Sequence, residues 1–197
     1  MGIRLIAGLG NPGREHERDR HNAGFWLVSR LAAQHGVALR SEPRFHGSVG
    51  RMVLPGFDAW LLLPQTYMNL SGKAVGSLAR FYRIAVDEVL AVHDELDFLP
   101  GVAKFKLGGG VAGHNGLKDI SAALGGPGFW RLRLGIGHPG ARDQVADYVL
   151  SQPPRDDRTA IDLSMERSLE TFPLIIAGQM EAAMLKLHTK DASRPNN

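Results

Sequence analysis

Cysteine is missing altogether from the 197 residues. Its absence excludes disulfides, thiolate nucleophiles and cysteine-ligated zinc, and it fits a reducing compartment. No apolar run approaches the roughly 20 residues that span a bilayer. The opening stretch MGIRLIAGLG is too short for a signal peptide, and Ile6 stands where a myristoylation pattern requires Ser or Thr. Asn69-Leu70-Ser71 matches a glycosylation acceptor, but nothing else points to secretion. The expectation is a cytoplasmic protein with no membrane attachment. Neither sign of charge dominates. Lys and Arg number 23 against 20 Asp and Glu, a net +3 that permits nucleic-acid binding without demanding it. Three catalytic signatures are also missing: the G-x-S-x-G nucleophile elbow, the Walker A loop and the H-E-x-x-H zinc helix.

What is present is ordinary globular composition, with 44% hydrophobic and 22% charged residues, which argues against disorder of the chain as a whole. The length suits one domain with a substantial core. Ile3 to Ala7 reads as a buried strand ending at Gly8. Phe25, Val28, Leu31 and Ala32 recur at helical spacing, and Gly36 closes that stretch. Residues 45–54 and 57–63 read as strands joined by the turn dipeptide Pro55-Gly56. A helix follows from Ser71 to Tyr82, then a strand from Val89 to Val92. Residues 102–107 and 130–136 alternate as strands, and a helix around Leu117 to Leu124 lies between them. Ile161, Met165, Leu169, Phe172 and Ile176 suit one helical face that Pro173 should break. Strands and helices alternate, so the predicted class is α/β: a single three-layer αβα domain over residues 1–190 with a twisted mixed sheet. The polar end of the chain, from Thr189 and in particular 191–197, is expected to be a disordered tail.

Four polar clusters fall where such a sheet ends in loops, the rim at which α/β proteins place their sites. Gly8-Leu9-Gly10-Asn11-Pro12-Gly13 matches G-x-G-x-x-G and invites a dinucleotide-binding reading. Pro12 and the late start of the next helix count against it; a tight turn needing glycine torsions is the plainer reading. Arg18-Asp19-Arg20-His21-Asn22 puts a histidine, suited to taking a proton from water, at a helix start. A lone histidine there is more often a capping or surface residue. Tyr67-Met68-Asn69-Leu70-Ser71 offers an Asn that either caps a helix or presents its amide to a carbonyl. His93-Asp94-Glu95-Leu96-Asp97 ends a strand, and Gly108–Gly116, with His114 and Asn115, precedes a helix whose amides can hold an anion. His93, Asp94, Asp97 and His114 offer metal-ligand chemistry, but their spacing matches no ligand pattern, so neither metal nor cofactor is expected.

Taken together and in this order, GLGNPG, RHNAGFW, TYMNLSGKAVG, HDELD, GVAKFKLGGGVAGHNGLKDI and RLRLGIGHPG resemble the bacterial peptidyl-tRNA hydrolase family, over residues 6 to 140. The resemblance implies hydrolysis of the ester between a peptide and the 3′ ribose of tRNA, recycling tRNA from abandoned translation. It implies His21 as the base that activates water, Asp94 as the acid that orients it, and Asn11 as the residue that tells peptidyl-tRNA from aminoacyl-tRNA. Asn69 and Asn115 would hold substrate and water, and Tyr67 would meet the tRNA end. Lys106 and Arg133 would clamp the 5′ phosphate, and the segment from Gly137 to Leu150 resembles a lid. It further implies a monomer without obligate protein partner, acting on the acceptor stem and 3′ end of peptidyl-tRNA. By strand period alone, Lys104 and Lys106 share a face, as do Arg131 and Arg133, and a solvated face is the plainer reading of those four.

Two positions depart from the family pattern. His16 stands where a Tyr usually meets tRNA, although imidazole can stack or bind phosphate. Asp19 replaces a Thr and brings a negative charge toward His21. Two other classes remain open at this level: a catalytically silent RNA-binding relative and a nucleotide-dependent oxidoreductase.

Overall fold

The computed structural model describes residues 2–192. A seven-stranded sheet carries the chain, in the spatial order β2-β3-β4-β1-β5-β7-β6. The strands are β1 (Leu5–Gly8), β2 (Arg40–Glu42), β3 (Gly47–Leu54), β4 (Phe57–Pro64), β5 (Val89–Glu95), β6 (Ala103–Leu107) and β7 (Trp130–Gly135). The central strands β4, β1, β5 and β7 are parallel, and β3 and β6 are antiparallel to their neighbours. The mixed sheet predicted from the Pro55-Gly56 turn is therefore present, and Gly56 there has the positive φ of 75° that the turn needs.

Seven α-helices among the described residues complete the layers: α1 (Ala23–Gln34), α2 (Ser71–Phe81), α3 (Asn115–Leu124), α4 (Val145–Val149), α5 (Arg155–Leu169), α6 (Phe172–Ile176) and α7 (Met180–Ala192). Side chains alternate across the sheet. Ile6, Leu90 and Val92 bury against α1, α5, α6 and α7, whereas Leu5, Ala7, Val89 and Ala91 bury against α2 and α3. The result is the expected three-layer αβα arrangement. No helix among the described residues is long and apolar enough to cross a membrane.

Several details differ from the sequence reading. β5 continues through His93-Asp94-Glu95, all buried, so these polar residues belong to the strand itself rather than to the loop after it. α3 starts at Asn115, two residues early, because the His114 side chain caps it by accepting from the Leu117 amide. The short edge strand β2 has no counterpart in the sequence reading; its three residues are all exposed, so no apolar pattern marks it. The C-terminal face divides into α5 and α6, with Pro173 in the first turn of α6, where the helix does not need its N–H. α7 continues through Thr189 to Ala192, past the start of the expected tail. The remainder of that tail, residues 193–197, lies outside the described residues.

What places the site is the packing of α1 on the sheet. The amide of Leu9 donates to Val92 O at 2.9 Å, and that of Phe25 to Leu9 O at 3.2 Å. A Cβ on Gly24 would stand 2.2 Å from Val92 O and 2.4 Å from Leu9 N, so only glycine lets the start of α1 come this close. We expect Gly24→Ala to cost at least ~1–3 kcal/mol through overpacking against backbone that cannot yield. In thermal unfolding this lowers Tm by several degrees, on the order of 2–4 °C per kcal/mol for a chain of this size. An unchanged Tm would mean that α1 does not approach the sheet in this way.

Candidate active site

The chain leaves β1 toward the β2–β4 side, then crosses by α2 to β5 on the other side of β1. The carboxyl ends of β1 and β5 therefore flank a switch point, where open α/β sheets form their crevice. Three segments converge there. His21 lies on a single 3-10 turn, Arg20–Asn22, that runs straight into α1. Asp94 comes from β5, and His114 from the residue before α3.

Asp94, only 3% exposed, joins them. His21 Nδ1 lies 2.9 Å from both carboxylate oxygens, and His114 Nε2 lies 2.9 Å from Oδ1. A carboxylate accepts, so each of these nitrogens carries a proton, and neutral His21 is left with a lone pair on Nε2 at its other edge. Burial would raise the pKa of Asp94, but the charges and hydrogen bonds of His21 and His114 outweigh it and hold the carboxyl well below its ordinary value. Burial pushes His21 down from 6.5, yet Asp94, assisted by the charge of Asp19, overcomes it and the net shift is upward. Asp19 is itself buried and holds His16 Nδ1 at 2.8 Å, so the two departures from the family pattern form one pair.

His21, Asp94, His114 and Asn115 line a cleft of about 470 Å³, closed on its far side by His138, Arg142, Val145, Ala146 and Val149. Asn11 sits behind the His21 turn. Its backbone N–H donates to Asn22 Oδ1 at 2.8 Å, and Asn22 Nδ2 donates back to Asn11 O at 3.0 Å. Asn11 Oδ1 accepts from the Met68 amide at 2.7 Å, which ties the β1 loop to the turn Met68–Leu70. On that turn Asn69 is exposed, and Tyr67 just before it is 64% exposed. Asn11 also lines a second pocket, of about 420 Å³, with Phe25 and Trp26.

The cationic strands differ from the simplest expectation. Lys104 pairs with Arg133 and Lys106 with Arg131 in the β6–β7 register, so all four side chains do share one face. Arg131, however, is 3% exposed and donates to the carbonyls of Gly108 and Gly110, where it braces the glycine-rich loop. Arg133 pairs with Glu95 at 2.9 Å and stacks over Phe98. Lys106 is exposed and lies along Gly109.

The four metal-ligand candidates do not assemble as a group. Asp97 is exposed on a turn, and His93 is fully enclosed with Nδ1 donating to Asp94 O at 2.6 Å. Instead, the donor atoms of His21, Asp94 and His114 lie within 4.8 Å of one another, close enough to hold a metal ion, but the two imidazole nitrogens are engaged on Asp94. By local sequence His114 suits only an anion loop or a metal, and Arg20 and Asn22 carry no role of their own. The available signal was an arginine and an asparagine directly flanking the histidine; the structure buries both.

An αβα sheet with a carboxylate-oriented imidazole at its switch point defines an α/β protein equipped for base chemistry. The sequence profile described as "Peptidyl-tRNA hydrolase" matches residues 5–195. A Peptidyl-tRNA hydrolase of Thiobacillus denitrificans is 57% identical over 190 residues, covering 96% of this chain and 92% of the relative. One of Nitrosospira multiformis is 54% identical over 97% of this chain and 100% of the relative. The crystal structure of peptidyl-tRNA hydrolase from Acinetobacter baumannii superposes with a TM-score of 0.91 at 48% identity, over 94% of each chain. The chain belongs to the peptidyl-tRNA hydrolase family.

His93 adds a testable electrostatic feature. Burial, and next the charge of His114, push its pKa from 6.5 down to about 3. Between those two values the unfolded chain binds a proton that the folded chain does not, so stability falls as pH falls. One such group contributes a slope of about 1.4 kcal/mol per pH unit. We expect His93→Gln to flatten the loss of stability on acidification by about that much in denaturant titrations. An unaltered slope would show that His93 is not held neutral.

Proposed function

We propose that this chain hydrolyses the ester joining a peptide to the 3′ ribose of tRNA, with His21 Nε2 taking a proton from the attacking water. The observation that carries this reading is the Asp94 carboxylate, which accepts from His21 Nδ1 at 2.9 Å and turns the basic edge of the ring away from the strand. An ester is an activated acyl group, so a positioned water and one base suffice without a covalent intermediate. As His21 becomes cationic, the fixed charge of Asp94 stabilises it. In the same proposal, the neutral amides of Asn11, Asn69 and Asn115 bind the peptide backbone and water whatever the side chains are, and Tyr67 stacks on the 3′ end. Asn115 lines the His21 cleft, and the tie from Asn11 to the Met68 amide holds the Asn69 turn beside it. Lys106 and Arg133 on the β6–β7 face take a phosphate of the acceptor stem, and such contacts position RNA without reading its sequence. His16, buttressed by Asp19, keeps a ring available for stacking or phosphate. No resident metal enters the mechanism, since His21 acts through the ring that Asp94 already orients. The reaction belongs in the cytoplasm, where translation supplies the substrate.

N-blocked aminoacyl-tRNA incubated with the full-length protein tests the proposal. The wild type releases free tRNA, and His21→Ala loses at least on the order of a hundredfold in rate while its circular dichroism is unchanged. Near-normal turnover by the variant would remove His21 from the role of base. Binding without any cleavage by the wild type would favour the RNA-binding alternative.

The Asp19 charge adds a second prediction. A base works unprotonated, so activity rises as pH climbs through the His21 pKa, and a raised pKa moves that rise to higher pH. Asp19→Asn removes one of the influences raising it. The acid limb of kcat/KM should move to lower pH; a limb that stays in place or moves up would mean that Asp19 does not act on His21.

A further inference from the structure

We propose that Arg20 is a positioning residue for the hydrolysis, holding the outer wall of the cleft in register with the neighbouring His21. The proposal rests on His21 serving as the base. Arg20 is 5% exposed, and its side-chain hydrogen bonds among the described residues reach no carboxylate. Its partners are all neutral oxygens of one segment. A single guanidinium nitrogen, Nη1, reaches Tyr148 O at 3.2 Å, Ser151 O at 3.2 Å, Ser151 Oγ at 2.6 Å and Gln152 O at 3.3 Å. The Arg20 backbone amide also donates to Ser151 O at 3.1 Å, and the guanidinium lies 4.0 Å over the Tyr148 ring. These carbonyls belong to the end of α4 and the turn beyond it, where a helix leaves its last C=O groups without intrahelical partners. Arg20 satisfies them from outside.

Both ends of this cross-link reach the reaction. Residue 20 is bonded directly to His21, and Val145, Ala146 and Val149 of α4 face His21 across the cleft. At its other end the wall is tied by Tyr148, whose hydroxyl donates to Ile136 O at 2.6 Å. Between these two ties the chain passes Gly137 and Gly140, with φ of 78° and 95°; the Gly137 amide donates to Phe98 O at 2.8 Å, and the His138 ring accepts from the Gly140 amide at 2.9 Å. Arg20 is therefore the tie that runs from this wall directly to the backbone beside His21. The flat guanidinium stacks over the Tyr148 ring while its Nη1 reaches the carbonyls, a combination that the compact ammonium of lysine does not reproduce.

The test compares wild type, Arg20→Lys and the milder Ser151→Ala by turnover of N-blocked aminoacyl-tRNA and by backbone hydrogen exchange. For Arg20→Lys we expect kcat to fall on the order of tenfold, as small misplacements of reacting groups do, with KM changing much less. Amides of residues 145–152 should exchange faster while those of β1 and β5 keep their protection. Ser151→Ala should move both readouts the same way to a smaller extent, and should add nothing when combined with Arg20→Lys. Wild-type kcat in Arg20→Lys with a loosened wall would overturn the proposal. So would a fall in protection spread evenly over the protein, or a wall that does not loosen in either variant. If Arg20→Lys does not fold, the Ser151→Ala pair of readouts decides. Failure of the wild type to cleave would refute the hydrolase reading instead, and selective loosening would then no longer bear on catalysis.

Discussion

A carboxylate at the end of a central strand is unfavourable to bury, and Asp94 is almost entirely enclosed. Leaving such a charge without partners costs several kcal/mol, so its position is stable only when donors arrive from elsewhere. They arrive from two segments far apart in the chain: His21, 73 residues earlier, and His114, 20 residues later. The turn before α1, strand β5 and the loop before α3 are thereby drawn to one point. The same contact that supplies the buried carboxylate with a donor also fixes the tautomer of His21. Assembly of the site and resolution of an electrostatic problem are here one event.

Close packing makes that event possible. A Cβ on Gly8 would stand 2.4 Å from Gly24 O, and one on Gly24 would meet the sheet, so two glycines bring α1 to backbone distance from β1 and β5. The Asn11–Asn22 clasp then pins the loop after β1 to the turn bearing His21 with two buried hydrogen bonds. Because neither amide is charged, this clasp adds rigidity without altering the electrostatics around the imidazole.

Much of this is legible in the sequence, and the limits have physical causes. Strand β1, the β3–β4 hairpin and helices α1 and α2 announce themselves by apolar period and by Gly and Pro punctuation. His21 and Asp94 are legible as a pair only through resemblance, since their contact depends on the parallel register of β1 with β5. β2 has three exposed residues and no pattern to read. Period also gives the face of a strand and not its depth. Arg131 and Arg133 share a face as expected, yet one is sealed beneath a glycine loop and the other is half-buried beside Glu95. His114 is visible as a residue, but its partner Asp94 lies on another element 20 residues earlier and no local spacing names it.

The cleft has irregular walls on both sides, and irregular backbone leaves carbonyls without ladder partners. Arg20 and Arg131 meet this need in the same manner. Each is buried, and each donates to several carbonyls of a loop that faces the site: Arg20 to the segment after α4, Arg131 to Gly108 and Gly110. In both cases the Nε–H stays buried without a partner, so the desolvation of the cation is offset through the terminal nitrogens alone. Such an arrangement fixes a loop at the expense of an imperfectly satisfied cation. A surface pair such as Arg51 with Asp58 loses less hydration but holds little in place. In the proposed reaction such fixed walls have a use, because a general base is only as effective as the geometry around it is constant. Asp94 fixes the direction of the His21 imidazole, and the two arginines hold the loops on either side of it.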